Sequence, residues 1–414
     1  MPEHREDLLA IYRAALAAVE GRVAVSSFLH EHDLQGSVYV VAIGKAAASM
    51  ARGAHEQLGQ RIAAGLVVTR HGYGQGIDRA CPHFRLIEAG HPVPDDRSLE
   101  AGRQLLSFLQ RVPDDGVLLF LISGGASSLV EVLPEGVTLS DLQRANDWLL
   151  GSGLSIARVN AVRRALSRIK GGRLVEFLTD RPVWNLLISD VPGDDPAVIG
   201  SGLLVTGVRE PLPEGLPPWL ARLVKGKAYV PDTKSRSHSI RTAIVACSSM
   251  AREAAAREAR KRGYAVSLHE CDITGDVSDV AREMASCLLS SPRTLHVWGG
   301  EPTMHLPDIP GLGGRCQHLA LCVAHKLQSF GLESYCFLAA GTDGSDGPGD
   351  RAGALVDGGT LLRGQDAGLD AAACLRGADA GRYLQAAGDL LRTGVTGTNV
   401  MDLMLGVRLP RETE

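Results

Sequence analysis

Apolar runs that break abruptly into glycine-rich loops recur along the chain, each followed by residues with helical periodicity. Ser37 to Ile43 predicts a strand, after which Gly44-Lys45 opens a helix running through Arg52, and Gly65 to Thr69 predicts a second strand. His71-Gly72-Tyr73-Gly74-Gln75-Gly76 reads as a flexible loop. Val117 to Ile122 is apolar at every position, as suits a strand covered on both faces, and it hands over to Ser123-Gly124-Gly125-Ala126-Ser127-Ser128. Strand and helix patterns alternate onward to Leu187-Ile188-Ser189-Asp190, which predicts a mostly parallel sheet with helices on both faces. Within this stretch, Ile156, Val159, Val162, Leu166 and Ile169 form an apolar stripe at helical spacing, predicting one helix from Ser155 to Lys170 that ends on Gly171-Gly172.

Between Val205 and His238 the pattern dissolves into Pro211, Pro213, Pro217, Pro218 and the basic Lys225-Gly226-Lys227. We place a domain boundary there, giving an N-terminal domain at 1–235 and a smaller one at 236–414. The second begins with strand Thr242 to Cys247, then helix Met250 to Gly263, strand Ala265 to His269, a helix near Val277 to Leu289 and strand Thr294 to Trp298. Buried runs at Tyr335 to Ala340 and Gly353 to Val356 complete a sheet expected to be mixed. The fold class is therefore α/β throughout.

Composition narrows the ligand. The 414 residues carry a formal charge of -4 without a basic block, and only 4% are aromatic, so neither the electrostatic footprint nor the stacking surface for nucleic acid is present. No apolar window reaches the roughly 18 residues a membrane span requires, and the amphipathic N-terminal stretch Glu6 to Leu16 has no secretory h-region. Eight cysteines without a CxxC pair suit a reducing cytoplasm better than a disulfide framework. Cys316, His318 and Cys322 match no common zinc spacing and are expected to pack. A small ligand is expected, with the chain a monomer or a homodimer.

Several loops hold groups suited to binding anions. Gly124 and Gly125 let the backbone approach a ligand, while Ser123, Ser127 and the N–H groups of a following helix supply donors; the alternative is an ordinary βα turn. Lys45 adds an ammonium at another helix start, or is simply solvated. Asn160, Arg163, Ser167 and Lys170 share a face of the predicted helix, which as a bland alternative is a solvated basic surface. Glu301 follows Gly299-Gly300, and Arg315 ends Gly311-Leu312-Gly313-Gly314. Asp343 and Asp346, in Gly341-Thr342-Asp343-Gly344-Ser345-Asp346-Gly347, together with Asp190 and Glu301, are carboxylates of the kind Mg²⁺ takes alongside waters and phosphates, or else turn formers. Thr398 and Asn399 add hydroxyl and amide donors on a glycine-bent loop.

In this order the segments resemble the type II glycerate kinases, the MOFRL-containing family that makes 2-phosphoglycerate from D-glycerate and ATP. The resemblance is carried by Val41-Ala42-Ile43-Gly44-Lys45-Ala46-Ala47, His91-Pro92-Val93-Pro94-Asp95, Ser123-Gly124-Gly125, Asn160-Ala161-Val162-Arg163 and Ile169-Lys170-Gly171-Gly172-Arg173. It continues through Ile188-Ser189-Asp190-Val191-Pro192-Gly193-Asp194-Asp195, Gly299-Gly300-Glu301, Gly313-Gly314-Arg315, the Gly341 to Gly347 loop and Thr396-Gly397-Thr398-Asn399. It implies a Rossmann-like N-terminal domain, a MOFRL-type α/β C-terminal domain, an active site in the cleft between them, and the family's key lysine and arginine at Lys45 and Arg315. ATP and Mg²⁺ are the cofactors it implies.

Four positions depart from the family pattern: Cys316 and His318 replace an amide and a carboxylate after Arg315, Leu203 replaces a proline, and Ser248 replaces an asparagine. Two other readings stand beside the kinase. One is an NAD(P)H-dependent hydroxypyruvate reductase, which the missing GxGxxG opposes. The other is a degenerate kinase that binds a metabolite without turnover.

Overall fold

The computed structural model describes residues 2–154, 156–207, 211–225 and 240–409. The chain divides into two compact units, Gly21–Val245 and Met1–Glu20 with Ala246–Glu414. The expected break at 235/236 lies outside the described residues.

Six strands build the sheet of the first unit: β1 Val38–Ile43, β2 Ile62–Arg70, β3 Phe84–Ala89, β4 Val117–Ile122, β5 Val183–Ile188 and β6 Ile240–Ala246. Their order is β3-β2-β1-β4-β5-β6, with β1 parallel to both β2 and β4. This is the doubly wound order, in which the chain reverses its direction of travel across the sheet between β1 and β4 and leaves a crevice at their carboxyl ends. Every residue of β4 is buried, in accord with its uninterrupted apolar sequence. Val41, Ile43, Phe120, Ile122 and Leu187 lie in the core beneath the helices Asp96–Arg111 and Ala126–Leu129.

Three expectations are corrected here. β6 was expected to open the second domain, but it is hydrogen-bonded to β5 as the last strand of the first sheet. The helix expected from Ser155 to Lys170 is a helix only at Ile156–Ala165. The Ser167 hydroxyl accepts the N–H groups of Ile169 and Lys170, both at 3.3 Å, and this local bond competes with helix continuation. The proline-rich stretch also holds a helix, Pro218–Val224, started by a proline whose missing N–H costs nothing there and anchored by buried Leu220 and Val224.

The second unit holds β7 Ala265–Leu268, β8 Thr294–Gly300, β9 Tyr335–Gly341, β10 Gly353–Asp357, β11 Leu390–Leu391 and β12 Asp402–Arg408, in the order β11-β10-β9-β12-β8-β7. The sheet is mixed: β7 and β8 are parallel, whereas β12 runs antiparallel to both neighbours. The first helix, Pro2–Ala18, belongs to this unit although it was expected with the N-terminal domain. Its buried Tyr12 hydroxyl donates to Gly341 O at 2.8 Å, and Arg5 is ion-paired to both Asp357 and Asp389. No helix among the described residues is long and apolar enough to cross a membrane.

Candidate active site

In the first unit, the loops after β1 and β4 are fastened to each other at the crevice. Lys45 N donates to Gly124 O at 2.9 Å, Ala46 N donates to Ser123 Oγ at 3.0 Å, and Ser123 N donates to Ile43 O at 3.0 Å. Gly44 has φ +132, and a Cβ there would lie 2.2 Å from Ser123 Oγ, so only glycine lets the loops meet. Gly125, at φ +85, underlies Lys45: a Cβ on it would come within 3.3 Å of Lys45 Cγ and 2.9 Å of His91. The lysine stem therefore passes over a bare backbone.

Beside these loops lies a pocket of about 170 Å³ lined by His91, Gly125, Ser127, Asn146, Arg163 and Lys170 among others. Arg163 Nε donates to Asn146 Oδ1 at 3.1 Å, which aims its guanidinium, and burial lowers the Arg163 pKa. The Ser201 hydroxyl bonds to Ser127 Oγ at 2.8 Å. Lys170 is buried and ion-paired with the fully buried Glu131, so its ammonium is already neutralised by the protein. Asn160, half-buried on the Arg163 helix, does not line the pocket. Asp190 follows β5 at the same edge of the sheet.

In the second unit, the ends of three strands converge. Asp402 pairs with Gly300 of β8 on one side and Gly341 of β9 on the other, so the loops carrying Glu301 and Asp343 flank it. Arg315, the first residue of the helix Arg315–Ser329, donates to Glu301 Oε1 at 2.6 Å and to Asp402 Oδ2 at 3.2 Å. Burial pushes the Asp402 carboxyl up to about 7, Arg315 opposing the shift while Asp346 and Glu301 add to it. Burial would lower the Arg315 pKa, but Asp402 and Glu301 raise it above its ordinary value. Thr398 stands in the loop leading to β12, its hydroxyl buried without a hydrogen-bond partner among the described residues. That loop is tied to the Asp343 loop by Val400 N donating to Thr342 Oγ1 at 2.8 Å and by Thr396 Oγ1 donating to Thr342 O at 2.6 Å. Asn399 is buried in the same loop.

Asp346, a candidate metal ligand, has both carboxylate oxygens engaged by N–H groups. Its Oδ1 accepts from Cys316 N at 3.0 Å, and its Oδ2 accepts from Gln317 N at 2.9 Å and Gln317 Nε2 at 3.0 Å. It is an acceptor for the otherwise unpaired N–H groups at a helix start, lent by a neighbouring loop. Asp343 instead accepts from Ser345 N at 2.8 Å. Cys316 and His318 are buried, and the Cys316 thiol is hydrogen-bonded to Asp402. Leu203 and Ser248 are buried too, with Ser248 at the start of helix Ser248–Lys261.

Reasoning from the sequence missed Asp402, Asn146 and Glu131. Asp402 carried a readable signal, a lone carboxylate directly before the apolar run Leu403-Met404-Leu405 and three residues past Asn399. Asn146 and Glu131 carried none, because their partners are distant in sequence.

The family described as a domain of unknown function (DUF4147) matches residues 7–210, and the MOFRL family matches 294–402. The chain is 35% identical to a D-glycerate 2-kinase of Thermotoga maritima, over 98% of this chain and 99% of that one. It is 36% identical to a putative hydroxypyruvate reductase of Agrobacterium vitis, over 96% of this chain and 93% of the relative. The crystal structure of a glycerate kinase from Thermotoga maritima matches with a TM-score of 0.83 at 32% identity, covering 99% of this chain and all of that one.

Proposed function

This chain belongs to the MOFRL-containing glycerate 2-kinase family, and from that membership we propose that it transfers the terminal phosphoryl group of ATP to a hydroxyl of D-glycerate, giving 2-phosphoglycerate. The observation that carries the reading is the match to a D-glycerate 2-kinase along nearly the full length of both chains. The site chemistry agrees, because phosphoryl transfer asks the protein for positioning and charge neutralisation rather than covalent chemistry.

Lys45 is the cation that meets charge on the transferring phosphoryl group. Arg315, held by two carboxylates, presents a planar guanidinium suited to bidentate contact with phosphate oxygens. The Ser123-Gly124-Gly125 loop and Ser127 supply donors to anionic oxygens, with Thr398 and Asn399 doing the same in the second unit. Arg163 takes the carboxylate of the acid, with Asn160 supporting its helix. Lys170 acts through Glu131 to hold the pocket wall.

Glu301 and Asp343 have the hard oxygen donors that fit Mg²⁺, with Asp190 a further candidate, and the ion would neutralise charge on the ATP phosphates. Asp346 keeps Arg315 in place by anchoring the start of its helix. All eight cysteines are free thiols, which supports a reducing, cytoplasmic setting.

The likeness to a putative hydroxypyruvate reductase favours a second reading, hydride transfer from NAD(P)H. It is opposed by the missing GxGxxG: counted from Gly44, Ala46 and Ser49 stand where a dinucleotide fold needs glycine beside the pyrophosphate. The purified protein is to be incubated with ATP, Mg²⁺ and a panel of C3 to C6 hydroxy acids, with products read by phosphorus NMR. A 2-phosphoglycerate signal is expected. Absence of any phosphorylated acid, together with NADH oxidation on hydroxypyruvate, overturns the kinase reading.

A further inference from the structure

We propose that His269, Cys287 and His296 form a binding site for a divalent metal of the zinc class, outside the group of residues around Arg315. The register brings them together. Ser267 of β7 pairs with His296 of β8, so His269, two residues further on, is on the same face of the sheet as His296. The ladder continues to that position, with His269 N donating to Val297 O at 3.0 Å. The helix Val277–Ser290 contributes Cys287, and one ligand atom from each of the three residues lies within 4.8 Å of the others.

The distances suit an ion. Tetrahedral zinc takes imidazole nitrogen at about 2.0–2.1 Å and thiolate sulfur at about 2.3 Å, which sets N···N near about 3.3 Å and N···S near about 3.6 Å. His269 Nε2 is 3.1 Å from His296 Nδ1, already close to the spacing of two nitrogens on one metal. A small rotation of Cys287 closes the third edge.

The ring nitrogen of His296 that faces His269 is Nδ1; its Nε2, in a residue only 4% exposed, has no hydrogen-bond partner among the described residues. Within the pair one nitrogen donates and the other accepts, so each offers a lone pair to an ion once that proton is lost. Trp298 lies stacked against both rings, with centroids 4.8 Å from His269 and 5.1 Å from His296, and so fixes the ring planes in advance. Burial keeps both imidazoles neutral, the form that binds metal.

The surrounding charges are tolerable. Arg252, whose charge acts on His269, is neutralised by Asp272 at 3.1 Å, and Glu283 precedes Cys287 by one helical turn. Binding would release the Cys287 thiol proton to solvent and leave a thiolate on the metal. Since His269 and Cys287 are only half-buried, water supplies the fourth ligand. The soft sulfur and two nitrogens select zinc over Mg²⁺, so the site does not compete for the nucleotide's ion.

The test uses the full chain, stripped with chelator and titrated with Co²⁺ as the probe. The expected result is a near-ultraviolet thiolate-to-cobalt band that saturates with a single ion and is bleached by Zn²⁺. Cys287→Ser should remove the band and weaken Zn²⁺ binding by about 100-fold or more, while turnover on D-glycerate is unchanged. His269→Ala, at a half-buried position, should weaken binding to a similar extent and covers the case in which Cys287→Ser misfolds. Cys271→Ser, at the neighbouring exposed thiol, should change nothing. A wild-type protein without the band, or a band that survives Cys287→Ser and vanishes in Cys271→Ser, overturns the proposal and leaves a hydrogen-bonded histidine pair beside a packing thiol.

Discussion

Arg315 Nη2 lies 3.2 Å from Asp402 Oδ2, although the two residues are 87 positions apart in the chain. One begins a helix and the other begins the strand between β8 and β9, so the contact joins a helix start to a central strand of the sheet. Asp402 does not need to touch substrate to matter; it sets where Arg315 points.

Asp402→Asn should therefore reduce kcat by on the order of 10²-fold while changing the KM for D-glycerate much less, since a displaced catalytic group costs rate more than ground-state binding. Asp402→Glu should recover part of the loss. Steady-state kinetics on the two variants checks this, and equal losses in kcat and in thermal stability would reduce Asp402 to a packing residue.

Lys45→Met keeps the stem over Gly125 and deletes only the charge. Turnover should fall by roughly 10²–10³-fold with the circular dichroism spectrum intact. Arg315→Lys should fall comparably, because an ammonium cannot reproduce the planar fork that engages Glu301 and Asp402 at once.

Lys170 and Glu131 form a buried pair whose separation is the experiment. Lys170→Met leaves the Glu131 carboxylate, with no exposed side-chain surface, without its cation, and should destabilise the protein by roughly 3–5 kcal/mol in urea unfolding. Adding Glu131→Gln should return much of that stability. A Lys170→Met protein of normal stability and raised KM for the acid would instead place Lys170 on the substrate.

Arg5 and Arg363 together neutralise the buried Asp357 and Asp389, linking the first helix to the second sheet. Burial alone would raise the Asp357 pKa; Arg363, the Gly359 N–H and Arg5 more than reverse this and hold it below 3.8. A carboxyl whose pKa is depressed on folding stabilises the protein above its unfolded pKa, and that contribution is lost as pH falls through the folded value. With Arg5 still paired to both carboxylates and Arg363 partly exposed, Arg363→Ala should cost roughly 1 kcal/mol at neutral pH and move the acid-unfolding midpoint upward, as followed by fluorescence during an acid titration.

Local pattern determined much of this protein. The uninterrupted apolar run at Val117 to Ile122 suits a strand covered on both faces, and the glycines at 44 and 125 mark tight loops after β1 and β4, so β1, β2, β4 and β5 and these loops were legible from sequence spacing. The second unit's elements from 248 to 300 and its strands at 335–341 and 353–357 were readable for the same reason, whereas the helix Arg315–Ser329 was not among them. What spacing cannot carry is partnership between distant residues. Whether Ser167 spends its hydroxyl on its own backbone, whether 240–246 pairs with β5 or opens a new sheet, and whether the first helix docks on Gly341 or stays with its sequence neighbours are decided by which surface offers the better burial and hydrogen bonds. The same holds for the charges. Lys170 reads as a binding residue from the helix face it shares with Arg163, and Asp346 from its glycine-rich loop. Only the tertiary structure pairs them with Glu131 and with a helix start, since a buried charge must find its counterpart within the fold.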